Sequence, residues 1–109
     1  MYSDFIKKVR VNITENSWSN IINIDQPEVM PSGDVVQNIY IRNIGQPIFT
    51  INYDTTTKIY SIENELDVEN LRGLDTSDVD EAASYILNGI EEKSSLIEEL
   101  LSLDSNGEL

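Results

Sequence analysis

The chain contains no cysteine and no histidine. The first absence excludes disulfides and thiolate metal sites, and the second removes imidazole ligands and the side chain most often used as a general base. Basic residues are scarce as well: seven Lys and Arg stand against twenty Asp and Glu, for a net charge of -13 over 109 residues. Lys and Arg supply most of the affinity for phosphate backbones and anionic bilayers, so neither nucleic acid nor a membrane is expected as a direct partner. Long hydrophobic runs are missing too. The opening Met1-Tyr2-Ser3-Asp4-Phe5-Ile6-Lys7-Lys8 lacks the basic and apolar blocks of a signal peptide, and the expectation is a protein that stays in the cytoplasm of the cell that makes it. The five glycines stand too far apart to cradle a phosphate, and no Gly-x-Ser-x-Gly or other nucleophile motif occurs.

What is present is ordinary globular material, 39% hydrophobic and 25% charged, enough for one modest core and one domain over 1–109. The charge is distributed unevenly. Residues 1–62 hold six acids against five bases, a net of -1, whereas residues 63–109 hold fourteen acids against Arg72 and Lys93, a net of -12. The chain divides on this basis into a β platform (1–62), an acidic helical segment (63–103) and a tail (104–109) that should fray without a partner.

Within the platform, apolar and polar residues alternate over Lys8 to Thr14, the period of a half-buried strand, with Asp4 to Lys8 as a possible helical entry. Ser19 to Asp25 is a shorter strand candidate. Pro27, Pro31 and Gly33 mark an extended loop. Three strands should follow as an antiparallel meander: Val35 to Ile44, Ile48 to Tyr53 and Lys58 to Ile62, joined at Gly45-Gln46-Pro47 and Asp54-Thr55-Thr56-Thr57. Ile39, Ile41, Phe49, Ile51, Tyr60 and Ile62 would share one face, since side chains alternate across a strand.

Past Glu63 the period lengthens. Glu65 to Leu71 reads as a helical turn or two before Gly73, and a main helix over 77–102 is expected, N-capped by Ser77 or Thr76. Val79, Ala83, Ile86, Ile90, Ile97 and Leu100 fall at helical spacing along it. Asn88-Gly89 either interrupts this helix or caps a first one before a second begins near Ser94 or Ser95. The expected fold class is therefore α+β, an antiparallel sheet of about four to five strands within residues 6–62 followed by C-terminal helices on one of its faces. Met30-Pro31-Ser32-Gly33 and Ile39 to Gly45 are similar to the Pro-Gly turn, strand and Asn-x-Gly turn of immunoglobulin-like β modules, a resemblance that covers only a small part of the chain.

Functional candidates are few. The pairs Asp78/Asp80, Glu91/Glu92 and Glu98/Glu99 sit at spacings that place their carboxylates on different sides of a helix, and no EF-hand ladder of oxygen ligands surrounds Asp75 to Asp80. A solvated helix face fits them better than an acid-base pair or a metal site, and no catalytic residue, cofactor or metal is expected. Leu96, Ile97, Leu100, Leu101 and Leu103 provide five apolar positions in eight residues, either a helix presented to a partner or an ordinary core helix. Trp18, the only tryptophan, stands in a polar connection where it would be an interface anchor or would fold over the sheet edge as core. The acids Asp78, Asp80, Glu81, Glu91, Glu92, Glu98 and Glu99 would attract a basic protein surface or a neighbouring assembly subunit. These features point to a non-enzymatic interaction or structural subunit of a larger complex, using its sheet edge and C-terminal helix; the chain also looks like the short acidic accessory proteins of bacteriophages in size and charge. The alternative is a small acidic inhibitor of the immunity, anti-restriction or anti-CRISPR kind that mimics nucleic acid in a basic groove. Self-association stays open in both.

Overall fold

The computed structural model describes residues 2–66 and 73–107, with side chains as far as Ser102. The chain opens with helix α1 (Tyr2–Glu15), continues through strands β1 (Ile22–Ile24), β2 (Glu28–Val29), β3 (Val35–Ile41), β4 (Pro47–Asp54), β5 (Ile59–Asn64) and β6 (Leu74–Thr76), and ends with helices α2 (Val79–Glu92) and α3 (Ser94–Gly107). The fold is α+β, an open antiparallel sheet with three helices. Strand order is β1-β3-β4-β5-β6, and β2 pairs with β3 beside β1.

The stretch read as a first strand, Lys8 to Thr14, lies instead in α1, so the sheet begins at Ile22 rather than near residue 6. The alternation of Val9, Val11 and Ile13 is genuine, but a longer period overrides it. Phe5, Val9 and Ile13 are four apart, all three are buried, and Tyr2 and Ile6 pack beside them. Val11, the residue that made the pattern look two-fold, is 46% exposed. Burial of one helical stripe outweighs the modest β preference of branched residues.

The meander is as expected. β3, β4 and β5 pair in sequence, Ile51 faces Ile62 and Tyr53 faces Tyr60, and Ile39, Ile41, Phe49, Ile51, Tyr60 and Ile62 are all buried. A shift between Ile39 and Tyr40 marks a bulge in β3. The sheet is a single layer covered on its inner face by helices, so the immunoglobulin-like resemblance does not extend to a two-sheet sandwich. The sheet also extends past residue 62 through β6, which a three-residue segment containing Asp75 does not announce. Gly73 permits that pairing: its φ is +71°, and a Cβ there would lie 1.8 Å from the carbonyl oxygen of Ile62.

α2 starts one residue later than expected. Asp78 is the N-cap, accepting the N–H groups of Asp80 at 2.9 Å and Glu81 at 3.2 Å, while the Thr76 hydroxyl oxygen accepts the N–H of Asp78. Asp80 and Glu81 then occupy the first turn, where the helix dipole favours them. The expected 77–102 segment is two helices, the second starting at Ser94 as the two-helix reading has it, but the first ends at Lys93 and not at Asn88-Gly89. Gly89 is mid-helix because α2 lies close on the sheet: a Cβ there would stand 2.8 Å from the Phe49 ring. α3 carries the backbone through Gly107, so the tail begins later than residue 104. Of the expected turn over Glu65 to Leu71, residues 67–71 lie outside the described part.

At its N-terminus α1 is pinned by an aromatic cluster. Phe5 and Tyr53 each hold ring centroids 4.6 Å from Tyr60, and Tyr2 lies 5.4 Å from Phe5. The buried Gln37 joins this cluster, accepting from the Tyr2 hydroxyl and donating to the Asp25 carbonyl at 2.6 Å. Burial, with Tyr60 beside it, pushes the Tyr2 phenol up from its ordinary pKa; burial, with Tyr53 beside it, does the same to Tyr60. The Tyr2 hydroxyl stays a neutral donor to Gln37. Among the described residues no helix is long and apolar enough to cross a membrane.

Candidate interaction surface

α3 is the least embedded helix. It contacts chiefly α2, to which it is joined at Lys93, and Ile97 is its one fully buried side chain among those described. Ile97, expected on the contact surface, is therefore a core residue at 0% exposure. Leu100 and Leu101 are half-buried against the core, while Leu96 is 39% exposed. Leu103 lies in α3 with its side chain outside the described part. Spacing explains the division: Ile97 and Leu101 are four apart on the inward stripe, and Leu96 and Leu100 are four apart on the stripe beside it.

The acids fall into two groups instead of one row. Asp78, Asp80 and Glu81 stand at the start of α2, with Asp78 occupied as its cap and Asp80 paired with Lys8 of α1. Hydrogen bonding to Asp80 and its negative charge raise the Lys8 pKa above the ordinary value, so this ammonium stays charged. Glu91, Glu92, Glu98 and Glu99 are exposed around the α2–α3 junction, about 17 Å further along at 1.5 Å per residue. Only this second group adjoins the exposed leucine. No group of three or more acidic side chains able to hold a metal ion occurs among the described residues.

Trp18 has a local structural role. Its N–H donates to the Ile13 carbonyl at 2.9 Å and that of Ser17 to Thr14 at 3.2 Å, with Ser17 at φ +66°, which is a Schellman ending of α1 with Trp18 as its apolar clamp. Trp18 is half-buried and packs against the core.

The sheet edge formed by β1 and β2 offers little to another strand. Because antiparallel ladders alternate, Ile22, Ile24 and Val29 turn their N–H groups away from β3. The Ile22 N–H is taken by the Trp18 carbonyl, the Gln26 N–H by the Asp25 side chain, and positions 27 and 31 are prolines with no donor. Val29, 70% exposed, stands between those two prolines. Proline and occupied donors are the usual guards against edge-to-edge pairing.

Sequence reasoning missed the groove between α1 and α2, with a volume of about 830 Å³, whose lining includes Lys7, Lys8, Val11, Val79, Asp80 and Ala83. Reading 8–14 as a strand hid it. The helical spacing of Phe5, Val9 and Ile13 was the available signal, since it turns Lys7, Lys8 and Val11 outward.

Fold and surface together define a class, an α+β protein with an open antiparallel sheet, one helix-covered face and an acidic helical end. Comparison with protein-family models, curated proteins and solved structures gives no match.

Proposed function

We propose that this chain is a non-enzymatic binding or assembly component that docks through its C-terminal helical end onto a protein surface. The observation that carries this reading is Leu96, a large apolar side chain left 39% exposed on the least embedded helix, beside the exposed carboxylates Glu92 and Glu99. A helix of this kind fits an apolar groove with a basic rim. The β1–β2 edge, in contrast, has a minor part in docking, because the N–H groups of Ile22 and Gln26 are occupied and positions 27 and 31 are prolines. Such a component serves a larger particle, a phage particle included, as well as a soluble complex.

A second reading is favoured by the exposed carboxylates of Glu91, Glu92, Glu98 and Glu99, with one lysine among them: an inhibitor that occupies a basic nucleic-acid-binding groove. Salt and Leu96 separate the two. The wild-type chain and a Leu96→Asp variant, checked for folding by circular dichroism, are immobilised and exposed to lysate of the producing cell at about 0.05 M and about 0.5 M salt. Docking through α3 predicts a partner held at both salt levels and lost from Leu96→Asp. A partner released by salt and indifferent to Leu96 establishes the inhibitor reading and removes the first.

A further inference from the structure

We infer that the recess between the last turns of α1 and strand β1 binds a phosphate group, held by the Arg10 guanidinium. This recess lies on the opposite flank of α1 from the α1–α2 groove: at 3.6 residues per turn, Arg10 stands about 160° around the helix from Lys8. It has a volume of about 270 Å³, and its lining includes Arg10 and Thr14 of α1, Ser19 of the following turn and Ile24 of β1, with Ile13 and Ile22 beneath them.

Charge is the first observation. The lining holds no Asp or Glu, whereas the α1–α2 groove includes Asp4 and Asp80, and a further recess beside Arg10 includes Glu15. Among the described residues Arg10 makes no ion pair, with Glu15 or with any other acid. Asp25, next to Ile24, turns its carboxylate to its neighbour, accepting the Gln26 N–H at 2.9 Å. The chain's acids are concentrated in residues 63–109, and residues 1–62, which form the recess, sum to only -1.

The donors supply the second observation. The guanidinium of Arg10, the hydroxyls of Thr14 and Ser19 and the N–H of Ile24, which turns away from β3, have no acceptor among the described residues. They come from a helix, a turn and a strand, hence from several directions. That arrangement suits a tetrahedral group with three acceptor oxygens and a charge of about -1.5 to -2, whereas the guanidinium fork alone satisfies a planar carboxylate. The frame is fixed as well. The Trp18 carbonyl accepts the N–H groups of Ile21 at 3.0 Å and Ile22 at 2.9 Å, which holds the turn carrying Ser19, and Ile13 and Ile22 are buried in the core. Sites that enclose a whole organic ligand run from about 300 to 1,000 Å³, so this smaller recess takes the phosphate and leaves the remainder of a ligand outside. One arginine neutralises too few phosphates to hold a nucleic acid.

This site is independent of docking through α3, and Leu96→Asp should leave it unchanged. The test is titration of the isotope-labelled full chain with inorganic phosphate, methyl phosphate and acetate at constant ionic strength, followed through backbone amide NMR shifts. With phosphate, the amides of Ser19 and Ile24 are expected to shift saturably in the millimolar range, and acetate should bind more weakly. Arg10→Gln should weaken phosphate binding about tenfold or more. Arg10 is exposed and glutamine is as good a helix former, so the variant keeps its fold, and Ser19→Ala, outside any helix, provides an independent weakening. Methyl phosphate bound as inorganic phosphate is identifies a phosphomonoester as the ligand, and its rejection identifies the free ion. No saturable shift with phosphate, equal binding by Arg10→Gln, or acetate bound as tightly as phosphate each overturn the inference.

Discussion

Replacing Gly89 by alanine sets two opposed effects against each other, and the structure determines which prevails. Gly89 lies inside α2, where alanine gains about 1 kcal/mol of helix propensity over glycine. On propensity alone the variant should be more stable. The added Cβ, however, would sit 2.8 Å and 3.3 Å from two atoms of the Phe49 ring, a side chain at 0% exposure opposed by Asn64 in the sheet. A rigid ring at the bottom of a packed core cannot swing aside, so α2 must lift or the sheet must shift, at a cost of about 1–3 kcal/mol. The balance is a net loss of about 1 kcal/mol, or a fall in Tm of roughly 4–8 °C for a chain of this size. Urea denaturation followed through Trp18 fluorescence measures it directly, with the slope expected to hold and the midpoint to drop. Combining Gly89→Ala with Phe49→Leu sharpens the test, since the shorter side chain leaves room for the methyl. In that background the alanine should be neutral or stabilising, with a coupling of at least about 0.5 kcal/mol between the sites. Gly89→Ala that stabilises the otherwise wild-type chain would refute the close-approach account and reduce Gly89 to an ordinary helix defect.

Two further predictions concern turns. Ser17→Gly should raise stability by about 0.5–1 kcal/mol in thermal melts, because Ser17 occupies the left-handed C′ position of the Schellman ending at φ +66°, where glycine is the favoured residue. The Asp54 carboxylate accepts the N–H groups of Thr56 at 2.8 Å and Thr57 at 3.2 Å, and these bonds, Thr57 first, hold its pKa below the ordinary carboxylate value. A depressed folded pKa contributes stability that is present above the unfolded value of about 3.9 and is lost as pH falls through the folded one. Asp54→Ala should therefore lose stability at neutral pH and show a flatter decline than wild type below about pH 4 in paired urea titrations.

Legibility in the sequence followed the strength of local pattern. The β3–β4–β5 meander was readable because three alternating runs were separated by Gly45-Gln46-Pro47 and by Asp54 with three threonines, turn chemistry with a mechanism behind it. The α2 stripe was readable for the same reason. α1 was misread because Val9, Val11 and Ile13 satisfy a two-fold period within seven residues, and only the wider window from Tyr2 exposes the four-fold spacing that burial selects. β6 was invisible because its pairing depends on Gly73 approaching the Ile62 carbonyl, a long-range fact with no local signature. At the contact surface, spacing identified the leucine-rich helix but could not assign its faces: within the unbroken apolar and acidic run Leu96 to Leu101, whether Ile97 or Leu96 points inward depends on where the elbow at Lys93 aims α3.

The way the fold distributes its exposed apolar groups limits how copies could assemble. Strand addition at β1 and β2 meets prolines at 27 and 31 and donors already taken by Trp18 and Asp25, so sheet extension along that side gains few hydrogen bonds. An isologous pairing of α3 with α3 would bury Leu96 against its own counterpart but bring Glu98 and Glu99 of both copies together, a like-charge contact that costs more than one leucine returns. Pairing α1 with α1 sets Lys7 and Lys8 against themselves by the same logic. Contacts between unlike surfaces avoid both of these like-charge pairings. Any contact made through α3 must leave Ile97 in place and keep Leu100 and Leu101 packed against the core, so the surface it can give to a neighbour is the side that carries Leu96.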